Sequence, residues 1–249
     1  MKPIAIITGA TSGIGEACVH RFIEAGFRVI ATGRNVEKLN HLHDRFGADL
    51  LPLVFDVRDR EVAEGAIGSL PADWKEIDVL VNNAGLALGL DPEYQGDYTD
   101  WDTMIDTNIK GLLTMTRVVV PGMVERNRGH IINIGSVAGD AAYANGNVYC
   151  ATKAAVKSIT DGLRIDVAHT ELRVTLLKPG LVETNFSNIR FHGDEQRADN
   201  VYKGITPLTG DDIAAAAIYA VQAPGHVQIA EMLILATHQA NGSTIVRKN

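Results

Sequence analysis

Tyr149 and Lys153 stand four residues apart in the run Val148-Tyr149-Cys150-Ala151-Thr152-Lys153. On a helix that spacing puts both side chains on one face. A free phenol titrates at about 10, too high for a good base near neutrality. A lysine ammonium ~5 Å away, at an effective dielectric of ~20, favours the phenolate by about 3 kcal/mol. That is roughly two pKa units, enough to make Tyr149 a candidate proton carrier for a substrate hydroxyl. The pair alone recurs by chance on exposed helices, so its weight rests on its neighbours. Ser136 follows an apolar run, thirteen residues before Tyr149, and can donate to a substrate oxygen as negative charge develops there. Asn108 sits in the helical segment before that run, in Asp106-Thr107-Asn108-Ile109-Lys110-Gly111.

A second constellation lies at the amino-terminal end. The apolar run Ile4-Ala5-Ile6-Ile7-Thr8 enters Gly9-Ala10-Thr11-Ser12-Gly13-Ile14-Gly15, where a helix begins. Glycines there let the backbone turn tightly and approach a pyrophosphate, and the helix start presents free amides to it. The next apolar run ends Ala31-Thr32-Gly33-Arg34-Asn35, with no acid at its tip and an arginine just beyond. A carboxylate would bind a bare ribose hydroxyl, whereas a guanidinium pairs with a 2′-phosphate, so NADP is preferred over NAD. Asp56-Val57 and Asn82-Asn83-Ala84-Gly85 occur at comparable run ends. Asp56 can accept from an adenine amino group or, since Asp59 and Glu61 follow, cap a helix.

Strand-like runs at 4–8, 28–32, 49–55, 79–82, 130–134, 173–178 and 232–236 alternate with helix-like segments at 13–26, 35–46, 59–70, 100–126, 148–170 and 211–222. Runs apolar on both faces and separated by helices predict a parallel sheet covered on both sides. The fold class is therefore α/β, a single doubly wound Rossmann domain over 1–249. The stretch 183–210 is polar, with Arg190, His192, Arg197 and Lys203, and has no strong period. Following a strand end, it reads as a substrate lid.

Composition excludes other classes. A net charge of -7 over 249 residues argues against nucleic acid as a partner. No stretch approaches the ~18 apolar residues of a membrane span, and the apolar run beginning at Met1 is too short for a signal peptide. Two cysteines, Cys18 and Cys150, suggest a reducing, cytoplasmic setting, and with His41 and His43 they form no metal-ligand set. The row Ala151, Ala154, Ala155 and Ser158 would let another helix approach closely, within the chain or across a subunit boundary.

Taken in order, T-G-x-x-x-G-x-G, N-N-A-G, the serine after the fifth strand, Y-x-x-x-K and Pro179-Gly180 resemble the short-chain dehydrogenase/reductase family. The resemblance implies a seven-stranded parallel sheet, a catalytic group of Asn108, Ser136, Tyr149 and Lys153, and a symmetric homotetramer. It gives Asn108 a helix-kinking and water-holding role, has Lys153 bind the nicotinamide ribose, and has Thr184 contact the carboxamide or a phosphate. Val182, like Pro179 and Gly180, is expected at the cofactor. Leu86-Ala87-Leu88-Gly89, Trp101 through Gly111, and Pro179-Gly180-Leu181-Val182-Glu183-Thr184 with Phe186 through Phe191 are similar to bacterial NADP-dependent 3-hydroxy acid dehydrogenases. That implies oxidation of a 3-hydroxyl in acids such as L-serine, L-allo-threonine or 3-hydroxypropionate, or reduction of the matching semialdehydes. Arg190 is the candidate for the substrate carboxylate, unless it faces solvent or pairs with Asp194 or Glu195. Where the subgroup often carries a second basic residue, this chain has Asn35. A reductase of 3-oxoacyl thioesters and a non-catalytic dinucleotide-binding regulator are the competing readings.

Overall fold

A computed structural model describes residues 2–248, so Met1 of the amino-terminal run lies outside the described residues. The order is β1 (Ile4–Ile7), α1 (Gly13–Glu24), β2 (Arg28–Gly33), α2 (Val36–Phe46), β3 (Leu50–Val54), α3 (Arg60–Gly68), β4 (Ile77–Asn82) and α4 (Tyr98–Ile105). It continues with α5 (Leu112–Glu125), β5 (His130–Ile134), α6 (Asn147–Asp166), β6 (Arg173–Pro179), α7 (Phe186–Arg190), α8 (Glu195–Tyr202), α9 (Gly210–Gln222) and β7 (Glu231–Ile234). The described strands form one seven-stranded sheet in the order β3-β2-β1-β4-β5-β6-β7, with every pairing parallel. This is the doubly wound arrangement expected from the sequence.

Strand alternation explains why the sheet is buried twice. In β1, Ala5 and Ile7 enter a core with Cys18, Val19 and Phe22 of α1, Leu39 and Leu42 of α2, and Ala214 and Ala217 of α9. Ile4 and Ile6 point the other way, toward Ala63 of α3 and Met115, Val119 and Met123 of α5. Val29 and Ala31 join the first core and Ile30 the second, repeating the same division. A strand that is apolar at every position thus feeds two layers of helices. Chain direction across the sheet reverses between β1 and β4, opening a crevice at their carboxyl ends.

Two segments differ from the sequence expectation. The helix expected over 100–126 is two helices, α4 and α5, joined by a π turn at Asp106–Gly111. Such a turn widens one coil of the helix and is common at functional sites. The segment 183–210 is not wholly irregular: it carries the short helices α7 and α8. Its base is tied by Glu183 N donating to Leu208 O at 2.7 Å and Leu208 N donating to Leu181 O at 2.9 Å. The segment is an excursion with joined ends, standing over the crevice.

Candidate active site

The glycine loop and the β4 end form one unit. Thr8 Oγ1 accepts from the backbone amides of Asn83 (3.0 Å) and Ala84 (2.9 Å). Asn83 Nδ2 donates to Thr8 O at 2.9 Å and to Gly9 O at 3.2 Å. Gly9 has φ +64, a left-handed conformation that glycine adopts without strain. A Cβ at Gly15 would lie 2.1 Å from Gly9 O and 2.5 Å from Asn83 Nδ2, so α1 can approach this loop only through a glycine. Ser12 caps α1 without a side-chain hydrogen bond, leaving the first amides of that helix open toward the cleft. An anion is the natural partner for them.

At the far end of the crevice, Arg34 lines the rim with its side chain 66% exposed, and Nη1 lies 3.7 Å from Asp56 Oδ2. Asp56 is bound by Arg58, whose Nη2 donates at 2.8 Å and whose backbone amide donates at 3.0 Å. Partial burial pushes the Asp56 carboxyl up, but Arg58 and then Arg34 outweigh it and hold it below its ordinary value. Two guanidiniums around one carboxylate leave the rim net positive, as a ribose phosphate requires. Asn35 does not face this rim: it caps α2 by accepting from Lys38 N at 2.9 Å.

Of the four residues expected to form a catalytic group, Ser136, Tyr149 and Lys153 line the same cleft. Tyr149 and Lys153 both line it, with residue exposures of 9% and 7%. Lys153 points inward, donating from Nζ to Ile134 O at 2.9 Å, with Nζ 6.0 Å from the Tyr149 ring centre. Ser136 Oγ accepts from Ala138 N at 3.1 Å, which fixes the turn after β5. Asn108, 1% exposed, does not line the cleft. Its Oδ1 accepts from Leu86 N at 2.9 Å, and Nδ2 donates to Leu86 O at 2.8 Å and to Thr152 Oγ1 at 3.0 Å. It holds the π turn to the loop after β4 and to α6, which places the kink expected of it.

One energetic expectation is corrected. Lysine proximity was expected to dominate the phenol, yet burial is the largest influence and pushes Tyr149 upward, aided by nearby Tyr143. Ser136 and Arg190 pull the other way. Burial also brings the Lys153 ammonium down to about 8. In the protein alone, desolvation is therefore the leading influence on both groups.

Of the remaining residues expected at the cofactor, Gly9, Thr11, Ser12, Gly13, Ile14, Val57, Ala84, Gly85, Pro179, Gly180, Val182 and Thr184 line the cleft. Gly15 packs behind it, as described. Asn82 does not reach it: its Nδ2 donates to Asn133 Oδ1 at 2.9 Å inside the sheet, and Asn83 lines the cleft in its place. The strand end carried the signal: Asn82 is the last residue of β4, whereas Asn83 lies just beyond it. Arg190 lines the cleft and pairs with neither Asp194 nor Glu195. Its guanidinium carbon lies 5.7 Å from the Tyr149 ring centre, Nη1 donates to Tyr143 Oη at 3.0 Å, and Nε donates to Gly89 O at 3.3 Å. Phe186 of α7 stands edge-on to Tyr149, ring centres 5.7 Å apart. In the sequence Phe186 enters only as part of the run from Phe186 to Phe191 and Tyr143 not at all; nothing in their spacing marks either as a site residue.

A crevice at the strand-order reversal, an open helix start and a Ser-Tyr-Lys group whose Tyr149 and Lys153 are buried coincide with a family match: the short chain dehydrogenase model covers residues 3–194. The chain belongs to that family. Among its relatives, the NADP-dependent 3-hydroxy acid dehydrogenase YdfG of Salmonella typhi is 54% identical over 91% of this chain and 92% of its own. The serine 3-dehydrogenase of Rhizobium radiobacter is 42% identical over 96% of each. The closed form of a serine dehydrogenase complexed with NADP+ superposes with a TM-score of 0.95 at 49% identity, over 99% of this chain and 100% of that one.

Proposed function

We propose that the chain is an NADP-dependent 3-hydroxy acid dehydrogenase. It oxidises the 3-hydroxyl of small acids such as L-serine, L-allo-threonine or 3-hydroxypropionate, and reduces the matching semialdehydes. The observation that carries this reading is Arg190, a partly buried guanidinium against the Tyr149 ring with no carboxylate in ion-pair range among the described residues. A planar cation left open beside a proton carrier suits a substrate that has a carboxylate near its hydroxyl. Relatives named for 3-hydroxy acid and serine dehydrogenation support the same substrate class.

The chain's own residues divide the work. The open amides of α1 and the Gly9 turn hold a pyrophosphate, Arg34 with Arg58 behind it holds a 2′-phosphate, and Lys153 and Thr184 hold the nicotinamide half. When bound, NADP supplies the acceptor for the hydride and a positive ring beside the phenol. Tyr149 takes the proton of the substrate hydroxyl, Ser136 donates to that oxygen as charge develops, and Lys153 stabilises the phenolate. Phe186 excludes water from the phenol. The exposed small row on α6, Ala151, Ala154 and Ser158, supports a homotetramer, and two buried free cysteines suit a cytoplasmic setting.

Initial rates with L-serine, 3-hydroxypropionate and an acetoacetyl thioester, each with NADP and then NAD, test the reading. Turnover of the small acids with NADP is expected. A preference for the thioester would overturn it in favour of an acyl-thioester reductase, and absence of turnover on any of them would favour a regulator.

A further inference from the structure

Tyr143 lies in the turn at 140–146, between the Ser136 turn and the start of α6. Its ring is fixed against the backbone there: a Cβ on Gly146 would come within 2.1 Å of Tyr143 Cε2, and Gly146 N donates to Tyr143 O at 3.1 Å. The ring is thus a rigid post at the head of the helix that carries Tyr149. Its hydroxyl accepts from Arg190 Nη1 at 3.0 Å, with the guanidinium carbon 5.5 Å from its ring centre. Gly89 O, on the loop after β4, takes the Nε hydrogen of the same guanidinium. Neither partner belongs to the excursion that bears Arg190. With Nε and one Nη1 hydrogen engaged, the hydrogens left for a ligand are the two of Nη2 and the other of Nη1.

We infer that Tyr143 is a positioning residue for substrate specificity, aiming the unengaged Nη hydrogens of Arg190 at the carboxylate of a small hydroxy acid beside Tyr149. The inference rests on the 3-hydroxy acid reading given above. Orientation is the point: a guanidinium free to rotate binds a carboxylate less well, because its side-chain freedom is lost on binding.

Tyr143→Phe keeps the ring and removes only the acceptor. KM for L-serine or 3-hydroxypropionate is expected to rise on the order of tenfold, the range of a hydrogen bond to a charged group. KM for NADP and the melting temperature should hold, which a purely structural role would not allow. In an Arg190→Met background the same substitution should add nothing to KM, because the two act as one unit. An unchanged KM in Tyr143→Phe, or an equal rise in both backgrounds, would overturn the inference while leaving the substrate reading intact. A wild-type enzyme with no preference for acids would instead remove the substrate reading, and this inference with it.

Discussion

The two ends of the cleft are built on different principles. At the cofactor end, two short side chains lace the backbone together: Thr8 Oγ1 accepts from the Asn83 and Ala84 amides, Asn83 Nδ2 donates to Thr8 O and Gly9 O, and α1 touches the loop through Gly15 with no room for a methyl group. At the substrate end, long side chains reach across from and to the excursion over 183–208, beside backbone bonds from Gly89 N to Arg190 O and from Lys248 N to Gly204 O. Arg190 reaches to Tyr143 and Gly89, His192 lies 3.0 Å from Asp100, and Tyr202 donates from its hydroxyl to Val182 O at 3.0 Å. Arg247 adds a clamp from the far end of the chain, donating to the carbonyls of Val201 and Lys203. Bonds of the first kind share the same two short side chains and adjust together, whereas those of the second kind come from separate, longer side chains and can open singly. A common cofactor is met by a fixed surface, and the variable partner by one that can be retuned or moved.

Variants that separate the two ends put this contrast at risk. Tyr149→Phe should lower turnover by about 10²- to 10⁴-fold, the usual worth of a positioned acid–base group, while NADPH binding followed by fluorescence persists. Gly15→Ala should damage the fixed end: an overpacked methyl costs about 1–3 kcal/mol, read as a lower melting temperature and a raised NADP Kd. Substrate KM at saturating cofactor should barely move in that variant. Arg190→Met should raise KM for acids at least tenfold, as loss of a charge-assisted contact of about 1.5–3 kcal/mol implies. It should also shift the pH profile. Arg190 pulls the Tyr149 phenol down, so its removal raises that group and moves the rising limb of hydroxy-acid oxidation to higher pH. A profile that stays in place would show that the guanidinium does not reach the phenol electrostatically. Asp100→Asn should have the smallest effect, a change of a few-fold in KM, because His192 is largely exposed and such pairs are worth about 0–1 kcal/mol.

Much of this was legible in the residues alone. Every expected strand is present because continuous apolar runs bounded by glycine, asparagine and polar turns leave little choice of period. The Ser136, Tyr149 and Lys153 grouping was legible because its spacing follows from a strand end and a helix face. Reading faltered where tertiary contacts override local pattern. Asn82 and Asn83 are the same residue type, and only the position at which β4 ends tells the sheet-bound one from the cleft-lining one. The π turn at Asn108 inserts its extra residue without any proline or glycine pair to announce it; the cause is a side chain satisfied by Leu86 and Thr152, both distant in sequence. Arg190 could be named but not placed, since Tyr143 and Gly89 lie 47 and 101 residues away. The balance of burial against charge at Tyr149 depends on how completely water is excluded, which no spacing encodes.

The cap at the start of α2 sets a limit on coenzyme redesign. Replacing Asn35 with arginine or lysine would add a longer, cationic side chain next to the rim that Arg34 and Arg58 already make positive, yet it would release the Lys38 amide and loosen the first turn by about 1 kcal/mol. Preference for the phosphorylated dinucleotide and firmness of that helix are therefore in competition at a single side chain, and a stronger grip is better sought by leaving position 35 alone and building on a neighbouring site.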